Sequence, residues 1–261
     1  MTHLRQAAFS LGLLIVLFSA SGCLVEQHDL QILSDGSAKL KIHYGMPDRT
    51  VEILDSAKHT ITNLPSGSAP DTSPPFVNSY TFDEENIKAL FSPKATPGVT
   101  LEKVRIDHRN GWTFTTLDLK FKDLKAFEGL SGHPTLLNHQ YSLKKEEEER
   151  FHLVHRTGHH QNKASVDMSD PHTKRNLTPM LAGLNVSLNL KFPGIVAAHN
   201  AHSPSPGGVS WTYSFDKHPK TIEKLQTDTR TVVFTTEAPL QEFELKHPKP
   251  QTPTPANLPA P

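Results

Sequence analysis

Short runs of alternating apolar and polar residues recur along this chain, separated by pairs that favour tight turns. Each run predicts a strand with one buried face. Leu30 and Ile32 alternate with polar neighbours, Asp35-Gly36 supplies a turn, and Ala38, Leu40, Ile42 and Tyr44 alternate with Lys39, Lys41 and His43, so the segment reads as a hairpin. Asn110-Gly111 predicts a second hairpin, between Val99 to Ile106 and Trp112 to Phe121. In its latter strand the apolar phase moves from Trp112 and Phe114 to Leu117, Leu119 and Phe121, which predicts a bulge. A third hairpin leads from Tyr141 and Leu143 through the charged tip Lys144 to Arg150 and back along Phe151 and Leu153. The cleanest alternation is Val186, Leu188, Leu190 and Phe192. Pro193-Gly194 breaks that strand, Ile195 to Ala198 continues it, and a turn at Ser203 to Gly208 leads to Val209, Trp211, Tyr213 and Phe215. Phe76 to Phe82 and Thr231 to Thr236 predict two further strands.

Helical spacing is sparser. Asp48 reads as the N-cap of a helix reaching about residue 63, Asp83 caps one carrying Ile87, Leu90 and Phe91, and Asp123 caps a short one bearing Leu124, Phe127 and Leu130. A further short helix is expected around Pro179 to Leu184. Residues 66–75, rich in Ser, Gly and Pro, predict a loop, and residues 157–176 lose apolar periodicity and predict a polar, His-rich one. The fold class expected is α+β, with antiparallel β-hairpins packed against a few short helices.

The first 22 residues stand apart. His3 and Arg5 precede an apolar stretch from Ala7 to Phe18, too short for a spanning helix of about 20 residues, and small residues follow. This reads as a signal peptide. Ala20-Ser21-Gly22-Cys23 resembles the lipobox of bacterial lipoproteins, with Ala20 where Leu is commoner. The resemblance implies a diacylglycerol on the Cys23 thiol, cleavage before Cys23 and a further acyl chain on the new amino group. Two chains suffice for stable anchoring, at roughly 0.8 kcal/mol per buried CH₂. Leu24 follows where Asp would favour inner-membrane retention, so outer-membrane sorting is favoured in a cell that has one.

Cys23 is the only cysteine, so lipidation would leave no thiol for a disulfide, a nucleophile or a metal. Lys and Arg number 27 and Asp and Glu also 27, a balance that argues against broad electrostatic attraction to nucleic acid. The tail from Lys246 to Pro261 is rich in Pro and too poor in apolar residues to pack, and is expected to be disordered. The expected organisation is therefore a signal peptide over 1–22, an extracytoplasmic domain over 23–245 and a Pro-rich tail over 246–261.

Leu30 to Tyr44 just past the lipid site, Leu188-Asn189-Leu190-Lys191-Phe192-Pro193-Gly194-Ile195-Val196, and Gly208-Val209-Ser210-Trp211-Thr212-Tyr213-Ser214-Phe215 resemble the LppM-like family of bacterial envelope lipoproteins. There a strand ending in Phe-Pro-Gly is followed by one centred on Trp. The resemblance implies an exported, membrane-tethered α+β domain with antiparallel sheet, suggested to contact lipid or glycolipid, with no catalysis established.

Candidate chemistry is thin. His152, His155, His159, His160 and His172, with Asp167 and Asp170 nearby, offer imidazole and carboxylate donors for Zn²⁺, Ni²⁺ or Cu²⁺, and His155, His159 and His160 are the metal candidates. The same residues also read as solvated loop histidines, since no His-Glu-x-x-His motif frames them. No nucleophile elbow, phosphate-binding loop or dinucleotide fingerprint occurs, and no pattern calls for a cofactor. Phe192, Trp211, Tyr213 and Phe215 read either as the lining of an acyl-chain groove or as the buried face of a sheet. The sequence thus predicts a non-enzymatic binding or structural module, held at the membrane by acylated Cys23 and facing out of the cytoplasm. Its expected partners are membrane lipid and a lipid or envelope-protein ligand. The alternative is a metal-binding envelope protein that uses the 152–172 cluster.

Overall fold

Strand-forming alternation is realised in two sheets whose inner faces meet in one core. The computed structural model describes residues 24–62, 80–130, 139–147, 149–157, 170–172, 175, 178, 181–205, 207–218 and 220–236. Cys23 and its leader, the 66–75 loop, nearly all of the His-rich segment and the Pro-rich tail lie outside these residues. The fold class is α+β.

The larger sheet has seven strands in the order β3-β4-β2-β1-β7-β10-β9. They are β1 (Val25–Ile32), β2 (Ala38–Pro47), β3 (Val99–Arg109), β4 (Trp112–Phe121), β7 (Asn185–Lys191), β9 (Ser203–Ser205) and β10 (Gly208–Ser214). The smaller has four, in the order β5-β6-β11-β8: β5 (His139–Glu147), β6 (Arg150–Thr157), β8 (Ile195–His199) and β11 (Arg230–Thr235). Among the described residues every pairing is antiparallel except β1 with β7, which run parallel from Val25 opposite Asn185 to Gln31 opposite Lys191. The two strands are far apart in sequence, and their parallel pairing is not anticipated by the hairpin signals.

Helices cover the margins. Those with continuous described ranges are α1 (Asp48–Thr62), α2 (Glu84–Leu90), α3 (Leu124–Gly129) and α4 (Thr221–Thr227), and residues 171, 172, 175, 178 and 181 are helical as well. The caps of α2 and α3 follow the expected chemistry, with Asp83 accepting from the Asn86 amide and Asp123 from the Ala126 amide, each at 2.7 Å. Phe127 of α3 reaches both sheets, packing edge-on against Phe121 of β4 and tilted against Tyr141 of β5. α4 was not anticipated, and its N-cap, Lys220, makes no side-chain capping bond that a sequence pattern could signal.

Four expectations are corrected. β4 carries no bulge: Thr113, Thr115, Leu117, Leu119 and Phe121 hold one unbroken inward phase. Trp112 and Phe114 face outward and stack on each other there, with Arg109 over the Phe114 ring at 4.4 Å. The irregularity lies in the partner strand, between Leu101 and Lys103. Ile195 to Ala198 does not continue β7 but crosses to the smaller sheet and pairs with β11. Gly194 makes the crossing possible, since a Cβ there would lie 1.8 Å from the Thr235 carbonyl oxygen. The Ser203 to Gly208 segment is more than a turn, because Ser203–Ser205 adds a short edge strand to β10. Tyr80 to Phe82 is not a strand, and the earlier part of that expectation lies outside the described residues.

The core is graded. At one end, Leu30, Ile32, Leu40, Leu119, Phe121 and Leu190 face Leu143, Leu153, Phe151, Val232 and Phe234, and Phe192 stacks on Phe234 at 4.4 Å across the sheets. At the other end the inward positions become polar. In register across the larger sheet stand Tyr44, Glu26, Val186 and Tyr213, and across the smaller one Tyr141, His155 and Arg230.

Candidate functional site, a buried Glu-His-Arg cluster between the sheets

Period-two geometry puts this cluster together. Extending the inward phase of Leu30 and Ile32 back along β1 brings His28 and Glu26 to the same face. Both are buried, at 0% and 4% side-chain exposure. From the facing sheet come His139 and Tyr141 of β5, His155 of β6 and Arg230 of β11, all buried. Tyr80, just before α2, completes the group.

Glu26 is the hub. Its Oε1 lies 2.8 Å from His28 Nε2 and 2.9 Å from His139 Nε2, and its Oε2 accepts from the Tyr80 hydroxyl at 2.9 Å. The His28 and His139 rings stack with centroids 4.1 Å apart and planes 16° from parallel. His139 Nδ1 is 2.8 Å from His155 Nε2, and His155 Nδ1 is 3.4 Å from Arg230 Nη1. Arg230 Nε donates to the Tyr213 hydroxyl at 2.9 Å, and that hydroxyl donates to Asp228 Oδ2 at 3.2 Å. A connected line of polar groups thus runs from a buried carboxylate to Asp228, which is partly exposed.

Elementary donor counting orders the line. Arg230 has no acceptor, so His155 Nδ1 must accept and His155 Nε2 carries the proton. That proton points at His139 Nδ1, which accepts and leaves the His139 proton on Nε2, facing Glu26. Electrostatics agree with neutral rings. Burial, the neighbouring His28 and Arg230 push His139 down to about 4, against the opposing pull of Glu26. Burial, then His139, Arg230 and His28, hold His155 well below the usual imidazole range. For Glu26, burial acts to raise the carboxyl, but the contacts with His139 and His28 outweigh it and keep the group ionised. Tyr80 and Tyr141 are raised by burial and by Glu26, so both remain phenols that can donate. The cluster is therefore one buried carboxylate and one buried guanidinium, bridged by two neutral imidazoles.

Of the residues singled out from sequence, His155 enters this cluster, facing inward rather than toward the loop. His159, His160 and Cys23 lie outside the described residues. His152 points outward from β6, with Nδ1 3.4 Å from Glu146. Phe192, Trp211, Tyr213 and Phe215 are all buried, at 7%, 1%, 3% and 4% exposure, and their side chains fill the interior. Trp211 Nε1 donates to the Asn200 carbonyl and Tyr213 serves Arg230. Glu26, His28, His139 and Arg230 were missed. Their signal is one of phase, polar residues occupying inward positions of strands, and it shows only once the register is known.

No family model matches the chain, and no curated protein matches it either. Among solved structures, the NMR structure of the folded domain of the LppM protein of Mycobacterium tuberculosis is similar at 15% identity and a TM-score of 0.40, covering 82% of this chain and 90% of that one. Among the described residues, no helix is long and apolar enough to cross a membrane.

The outward face of the larger sheet offers a second feature. A hollow of about 540 Å³ is lined by Asp29, Gln31, Lys39, Lys41, Asp118 and Lys191 with backbone between them. Asn189 Nδ2 and Gln27 Nε2 both donate to the Asp29 carboxylate, fixing it on that face. Its mixed charge suits a polar contact rather than an acyl chain.

Proposed function

We propose that this protein is a cell-envelope lipoprotein whose ectodomain is a non-catalytic binding or structural module held at the membrane by acylated Cys23. The observation that carries the reading is the position of β1. This strand begins at Val25, two residues past the lipobox cysteine, and is paired on both sides from that first residue, with Gly45 of β2 and Asn185 of β7. A lipid on Cys23 would attach to the middle of the larger sheet with almost no spacer, a reach of at most about 7 Å. Such a tether holds a domain against the bilayer and transmits load into a strand secured by two ladders. The polar cluster fits a non-catalytic role, because side chains at 0–4% exposure are closed to a substrate. Contact with an envelope partner or a lipid headgroup is assigned to the exterior, where the Asp29 and Lys41 hollow presents polar groups.

The test is expression of the full chain in a bacterial host fed a clickable palmitate analogue. Label on the protein, co-sedimentation with membranes and loss of both in Cys23→Ala are expected. An unlabelled wild-type protein, or one released as a soluble species, would overturn the reading.

A further inference from the structure

We propose that Glu26, His28 and His139 form a binding site for one divalent transition-metal ion, Zn²⁺ being the ion that two imidazoles and a carboxylate suit best. This inference rests on the interior of the sandwich alone and is independent of the envelope reading.

Three observations carry it. First, Glu26, His28 and His139 are all buried and each offers a ligand atom within 4.8 Å of those of the other two. Second, Glu26 Oε1 is shared by two buried ion-pair contacts, 2.8 Å to His28 Nε2 and 2.9 Å to His139 Nε2, and the His28 contact falls short of good hydrogen-bond angles. Buried polar atoms crowded together without well-directed hydrogen bonds are costly, and a cation shared among the three would satisfy them together. Third, every ligand is already held from behind. His139 Nδ1 meets His155 Nε2 at 2.8 Å, His28 Nδ1 meets the Tyr141 hydroxyl at 3.4 Å, and Glu26 Oε2 accepts from Tyr80 at 2.9 Å. Outer partners of this kind orient metal-binding imidazoles and carboxylates.

Metal bonds of about 2.0–2.1 Å in a tetrahedral site separate ligand atoms by roughly 3.3 Å, so the contacts must open by about half an ångström. Glu26 Oε2 or a water completes four-coordination. The ligands come from β1 and β5, so the ion would clamp one sheet to the other at its polar end.

Occupancy would also be felt at a distance. A metal on His139 Nε2 obliges the ring to carry its proton on Nδ1, where it donates to His155 Nε2. His155 then carries its own proton on Nδ1, facing the Arg230 guanidinium donor to donor. Each ring keeps one proton, moved from Nε2 to Nδ1, and the contact with Arg230 opens.

The experiment takes the full chain, strips it with a chelator and offers excess Zn²⁺ or Co²⁺. One equivalent retained through gel filtration is expected, with the intense visible bands of tetrahedral Co²⁺. Histidine ¹⁵N spectra should show the His28 and His139 Nε2 resonances shifting and the His155 proton moving to Nδ1. His28→Gln and His139→Gln should abolish retention, whereas His152→Ala should keep it. Substoichiometric binding would overturn the proposal, as would a retained ion that leaves the His28 and His139 resonances unmoved. The spectra of the unsubstituted chain decide the matter if the variants fail to fold.

Discussion

Arg230 and Glu26 are both buried, at 2% and 4% exposure, on facing sheets, and they are joined through His155 and His139 rather than by a direct ion pair. Two neutral imidazoles therefore relay the attraction between opposite charges that water cannot screen. Removing either charge leaves the other uncompensated. Arg230→Met and Glu26→Gln should each cost about 3–5 kcal/mol, and the double variant should cost clearly less than their sum. Urea denaturation of the four proteins checks this, and simple additivity would show that the two charges are not coupled. Arg230→Lys should not rescue, because an ammonium lacks the fork that meets both His155 and Tyr213.

Much of the sandwich could be read in advance where apolar residues mark the inward phase. Ala38 to Tyr44, Val186 to Leu190 and Val209 to Tyr213 are buried at the alternate positions their pattern indicates. The cluster was not readable in the same way, because Glu26 and His28 occupy inward positions with side chains that ordinarily mark a solvated face. Continuing the phase of Leu30 and Ile32 backward would have found them. The same rule applied back from Leu117 finds Thr115 and Thr113, where the bulk of Trp112 and Phe114 suggested a bulge. Sheet membership was illegible for another reason. Pro193-Gly194 announces a break, but nothing local says that the chain changes sheets there.

Trp211 provides a test of what the aromatic strand does. It is 1% exposed, lies opposite Leu188 on β7 and spends its indole N–H on the Asn200 carbonyl at 3.2 Å. As an interior residue it should cost about 3–5 kcal/mol when cut to Ala. Trp211→Phe should be far milder, losing the hydrogen bond at about 1 kcal/mol with little cavity. Chemical denaturation measures both, and an Ala variant of unchanged stability would return the residue to an exposed groove.

Gly194 should tolerate no side chain. Its ideal Cβ meets the Thr235 backbone at 1.8 Å, and backbone cannot swing aside as a side chain can. Gly194→Ala is expected to lose about 1–3 kcal/mol by overpacking and to detach β8 from β11 first. Hydrogen exchange locates the effect: the amides of the β8–β11 pairing should lose protection while those between β1 and β2 keep theirs. Uniform protection across both sheets would refute the assigned crossing.

His43 lies on the outer face of the larger sheet, stacked on Phe114 at 5.4 Å, with Nδ1 2.9 Å from the Thr116 hydroxyl. Burial lowers its pKa below the ordinary 6.5, Arg109 and Arg105 lower it further, and Asp107 and Asp29 oppose them. A folded pKa below the unfolded one means that the unfolded chain takes up the proton first as pH falls. The contribution of His43 to stability is therefore complete above pH 6.5 and is lost as pH drops through the window between 6.5 and the folded value. Arg109→Ala removes the largest charge acting on the ring and should move its titration up toward 6.5, narrowing that window. Following the His43 ring protons by NMR in both proteins gives the two midpoints. A wild-type midpoint at or above 6.5, or one that Arg109→Ala does not raise, would contradict this account of the outer face.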